Sequence, residues 1–145
     1  MILDSEEAFE YNSSSVSVTE PMRKYGYFLP AAIYYSLIFL ISSKDFNVPI
    51  DIRLIDKSAH FVEFAILSFL LSLGFFHASA LSIRMKIILS FLVALGLGAL
   101  DEFHQYFVPG REVEIFDVLA DALGAACGVL VYWCLFTGRK RAAKP

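Results

Sequence analysis

Four apolar stretches, each close to the length needed to cross a bilayer, leave this chain few ways to fold. They run from about Tyr25 to Ser43, Ser58 to Phe76, Arg84 to Val108 and Ile115 to Phe136. A helix needs ~20 such residues to span the hydrocarbon core. Barrel strands would be shorter and would alternate apolar with polar residues, which these stretches do not. The expectation is therefore an all-α polytopic membrane protein, a bundle of four transmembrane helices. Composition agrees: 57% of the 145 residues are hydrophobic and the mean hydropathy is +0.61. That is more apolar surface than a soluble domain of this length requires.

The net charge of −3 hides an uneven distribution. The first twenty residues carry Asp4, Glu6, Glu7, Glu10 and Glu20 and no base, so the remainder is +2. That segment is read as a disordered acidic tail (residues 1–20), because Ser13, Ser14, Ser15 and scattered acids have no periodicity and little to bury. No cleavable signal peptide is expected, since no basic n-region precedes an apolar one. Residues 21–138 form the membrane domain and residues 139–145 a basic tail. No basic stripe points to nucleic acid. Cys127 and Cys134, seven apart on one helix, are too far apart to bridge and are read as buried thiols.

Basic residues set the expected orientation. Arg23, Lys24, Arg84, Lys86, Arg139, Lys140, Arg141 and Lys144 fall on one side of four crossings; Lys44, Arg53, Lys57 and Arg111 fall on the other. By the positive-inside rule both termini are cytoplasmic. Three or five crossings would break this pattern. Tyr132 and Trp133 near the cytoplasmic end of the fourth helix suit an aromatic belt, as do Tyr25, Tyr27 and Phe28 for the first. His77 suits an interfacial position.

The polar residues inside the apolar stretches carry the functional signal. Asp56, His60 and Glu63 are spaced four and three apart, on one helical face, with Lys57 at its edge. Gly98, Asp101, Glu102 and Gln105 form a second stripe, with His104 beside Asp101. Pro109-Gly110 then turns the chain, followed by Arg111. Asp117, Asp121, Gly124 and Gly128 form a third stripe. Gly124 and Gly128 have the GxxxG spacing of close membrane helix packing, with Gly98 as a further packing position. The carboxylates should therefore point into the bundle.

An ionised side chain deep in the hydrocarbon costs at least ~2.5 kcal/mol, so it is a functional site by default. The convergent acids Asp56, Glu63, Asp101, Glu102, Asp117 and Asp121 outnumber the nearby cations Lys57 and Arg111. Some carboxyl must hold a proton, or the site must hold a cation or a cationic ligand group. His60, Glu63 and Glu102 are candidates for acid–base work. Asp56, Lys57, Asp101, Gln105, Arg111, Asp117 and Asp121 are candidate ligand-binding groups, Arg111 with a fork suited to phosphate or carboxylate. His60, Glu63, Asp101, Glu102 and His104 are suitable metal-ligand types, but their spacing fits no standard zinc motif. No metal and no cofactor is expected. The competing reading is a structural polar network that only fixes helix packing.

These residues also resemble a known family. Asp56-Lys57-x-x-His60, then Asp101-Glu102-x-x-Gln105-x-x-x-Pro109-Gly110-Arg111, then Asp117-x-x-x-Asp121-x-x-Gly124-x-x-x-Gly128 resembles the VanZ-like pattern over roughly residues 25–137. Asp121 departs from it, since the family pattern usually has Asn there. The resemblance implies a small integral membrane protein of the bacterial plasma (inner) membrane, associated with the cell envelope. The family takes its name from a protein linked to teicoplanin resistance. It implies no molecular activity. The expected partners are the bilayer and a lipid-linked envelope precursor or another anionic envelope ligand.

Overall fold

The computed structural model describes residues 23–44, 53–111 and 114–138. The tails expected at 1–20 and 139–145 lie outside the described residues. Four helices account for the structure: α1 (Leu29–Ser42), α2 (Arg53–Ala78), α3 (Ile83–Gln105) and α4 (Ile115–Trp133). A 3-10 turn, Gly26–Phe28, leads into α1, and a π-helical turn, Cys134–Gly138, extends α4. Four helical stretches are long and apolar enough to cross a membrane.

Local chemistry explains most of the boundaries. Pro30 sits in the first turn of α1, where its missing N–H costs nothing. Ser82 caps α3 by accepting from the Met85 amide at 3.4 Å. Helix α3 stops at Gln105, three residues before the apolar run ends, because Pro109 disfavours the helical conformation at Val108. The turn that follows is closed by the Arg111 amide on the Val108 carbonyl at 3.2 Å. Gly110 occupies its third position at φ 86°, which a type II turn requires and only glycine takes without strain. Helix α2 begins at Arg53, five residues earlier than Ser58, so Asp56 and Lys57 lie within its first turns.

Helices α2 and α4 form the central pair, with α3 packed against both. Helix α1 lies at the side, mainly against α2. The interior mixes large apolar residues, Phe64, Leu67 and Leu71 among them, with small and polar ones. Ala94, Ala125, Ser68, Ser72 and Ser90 are fully buried, while Leu37, Leu40, Val62, Ile66, Leu92, Leu123 and Leu130 are exposed. In water that surface would drive aggregation; in lipid it is the proper solvent-facing surface. The interior serines donate back to their own helices, Ser72 to the Ser68 carbonyl at 2.8 Å and Ser90 to the Lys86 carbonyl at 2.8 Å. They therefore bring no unsatisfied hydroxyl into the core.

Two smaller expectations are corrected. Tyr132 is buried, not at a belt: its ring packs with Phe69, Phe76 and Phe136 at centroid distances of 5.0–5.4 Å. Neither cysteine is fully buried; Cys127 is half-buried and Cys134 exposed. His77 is exposed and stacks on Tyr27 at 4.9 Å.

Candidate functional site

The polar stripes meet at one end of the bundle. Asp101, Glu102 and Gln105 occupy the last turns of α3, Asp117 and Asp121 the first turns of α4, and His60 the start of α2. All six are buried.

The packing glycines allow this convergence. A Cβ on Gly124 would run into the Phe61 carbonyl oxygen, and one on Gly128 into the Ala65 carbonyl and the Ser68 hydroxyl. Backbone thus lies directly on backbone between α4 and α2. On α3, a Cβ at Gly98 would sit 2.7 Å from Asp121 Oδ2. The space it leaves is where the Asp121 carboxylate fits.

Within the cluster, His60 Nδ1 lies 3.0 Å from Asp121 Oδ1. Its other nitrogen, Nε2, faces Glu102 Oε1 at 3.9 Å, too long for a hydrogen bond. Both Glu102 oxygens and Asp121 Oδ2 are buried without a hydrogen-bond partner. Asp101 is fully served: Ser42 donates to Oδ1 at 2.7 Å and Gln105 donates to Oδ2 at 2.9 Å. Nearer the rim, the Lys57 ammonium pairs with Glu114 at 2.5 Å and Asp117 at 3.1 Å. Arg111 pairs with Asp56 only at 3.6 Å, and its Nε is buried without a partner.

Glu63 is not brought into this constellation. It is half-buried and makes no hydrogen bond or ion pair among the described residues. His104 turns away as well, stacking on Phe39 at 4.1 Å and meeting Ser43 Oγ at 2.9 Å.

Two contributors were not legible in the sequence. Ser42 is the last residue of α1, which has no charged side chain in its span, and a serine near a helix end gives no signal. Glu114 stands outside every stripe, yet it supplies the closer of the two partners of Lys57. Ser42→Ala is expected to lower stability by about 1.5–3 kcal/mol, because a buried carboxylate loses a charge-assisted donor. Thermal unfolding in detergent reads this directly.

These features define a class: a multi-pass α-helical membrane protein with a buried acid–histidine cluster at one end. The chain belongs to the VanZ/LLP1 family, whose signature matches residues 3–137. It is also similar to an uncharacterized protein of Schizosaccharomyces pombe, 33% identical over 101 residues, which is 69% of this chain and 60% of that protein. The chain thus spans less than two thirds of the length of this relative. No solved structure matches.

Proposed function

We propose that this protein binds an anionic, lipid-linked cell-envelope component through its polar end, with Arg111 as the anion anchor. The observation that carries the reading is the state of Arg111. Its contact with Asp56 is 3.6 Å, outside the geometry of a bidentate fork, and its buried Nε has no partner. A guanidinium so placed has donors to spare for a phosphate or carboxylate. Lys57, Gln105, Asp101, Asp117 and Asp56 frame the approach, and His60 with Glu102 lies beneath it to handle protons or coordinate.

The balance of basic residues turns this end outward and leaves both termini in the cytoplasm. A link to teicoplanin resistance is a finer reading that rests on the family resemblance alone. Drug sensitivity of a strain lacking the gene tests it.

The principal test is binding of a polyprenyl phosphate to the purified chain in detergent. Arg111→Lys keeps the charge but removes the fork, and is expected to weaken binding at least ~10-fold. Unchanged affinity would overturn the assignment.

One observation favours a purely structural role. Asp101 has both oxygens bonded and Lys57 has two carboxylate partners, and these bonds join α1 to α3 and α2 to α4. In that case Arg111→Ala and Glu102→Ala would lower expression, with no separate loss of binding in the protein that folds.

A further inference from the structure

We propose that His60, Glu102 and Asp121 form a binding site for one divalent transition-metal ion of the zinc or manganese class. This rests on reading the polar end as a site rather than as packing, and it gives His60 and Glu102 a specific role there.

Geometry is the first support. One ligand atom from each residue lies within 4.8 Å of the others, and all three residues are buried. Neighbouring ligand atoms of a tetrahedral zinc-type ion stand about 3.4 Å apart, so the 3.9 Å between His60 Nε2 and Glu102 Oε1 needs to close by only about half an ångström for a shared ion. Small side-chain adjustments would bring the third atom in.

A second and independent support is the accounting of polar atoms. Buried carboxylate oxygens in folded proteins almost always have partners. Glu102 is 3% exposed and neither of its oxygens has one; Asp121 is 0% exposed and its Oδ2 has none. Neighbouring Asp101, equally buried, has both oxygens served. Among the described residues, the orphaned carboxylate oxygens are thus confined to the cluster that the imidazole faces.

Charge gives the third. Two carboxylates, a neutral imidazole and a divalent ion sum to zero, the balance a low-dielectric interior demands. Mixed nitrogen and oxygen donors favour zinc or manganese over calcium or magnesium, which take oxygen alone. A second triad, Asp56, His60 and Asp117, shares the histidine, but Lys57 and Arg111 already neutralise its carboxylates.

The test uses the full chain in detergent, stripped with chelator and titrated with Zn²⁺, Mn²⁺ or Co²⁺ alone, with no anionic ligand. One ion per chain is expected, and Co²⁺ should show visible absorption distinct from the aqueous ion. Glu102→Gln and Asp121→Asn, both isosteric, should each weaken binding by about 10–100-fold. His104→Ala, outside the cluster, should leave it unchanged. Absence of stoichiometric binding, or an aqueous Co²⁺ spectrum, would overturn the proposal. So would full affinity in Glu102→Gln. The Co²⁺ spectrum needs no variant to fold. Since no anion is present, failure here leaves the Arg111 reading standing, and failure of Arg111→Lys to weaken lipid binding leaves this one standing.

Discussion

His60→Ala is expected to cost about 3–5 kcal/mol of stability, the range seen when one partner of a buried ion pair is removed. The reason lies in what it leaves behind. Asp121 is fully buried, and among the described residues His60 Nδ1 is its only hydrogen-bond partner, at 3.0 Å. Without the imidazole both Asp121 oxygens are orphaned, beside a Glu102 already in that state. The bundle would then have to protonate these acids, admit water or separate. Asp121→Asn should cost much less, because the amide keeps an oxygen for the imidazole. The double change His60→Leu with Asp121→Leu should recover much of the loss, since apolar replacement of a whole buried pair is often neutral. Unfolding midpoints in detergent for these variants separate the mechanisms. A His60→Ala protein as stable as the natural one would mean that the pair is not formed. If the double variant is stable yet binds no ligand or ion, the cluster exists for function.

Gly128→Ala should cost about 3 kcal/mol, at the upper end of overpacking changes. Its methyl would overlap the Ala65 carbonyl oxygen, which belongs to backbone within α2 and cannot rotate away. Relief requires moving α4 off α2, and those two helices are the central pair of the bundle. Gly124→Ala should act alike, against the Phe61 carbonyl. The two losses will not add, because one displacement relieves both. Gly96 supplies the control: nothing lies within 4 Å of its added Cβ. Gly96→Ala should be neutral or stabilising by up to about 1 kcal/mol through helix propensity. If Gly128→Ala melted with the Gly96→Ala protein, close α2–α4 packing would be refuted.

Much of the fold was legible because it depends on local rules. Span length and apolar composition mark four helices without reference to any contact. Helical periodicity put Asp101, Glu102 and Gln105 on one face, and Asp117, Asp121, Gly124 and Gly128 on another; all seven are buried. Where the reading missed, something nonlocal decided. Glu63 has the spacing of its stripe but no hydrogen bond or ion pair among the described residues. Tyr132 looks like a belt residue by position, yet neighbouring aromatics from α2 enclose it.

The sequence by itself determined that this chain is a four-helix membrane protein and that its ionisable residues form inward stripes, because both follow from residue type and a 3.6-residue repeat. Only the tertiary structure decided which groups meet. His60 and Asp121 are 61 positions apart, and Ser42 and Asp101 are 59 apart. Their contact depends on the rotation and depth of whole helices, set by glycine-lined backbone packing whose partner helix the GxxxG spacing does not name. For the same reason the possible metal ligands carry no motif: each comes from a different helix.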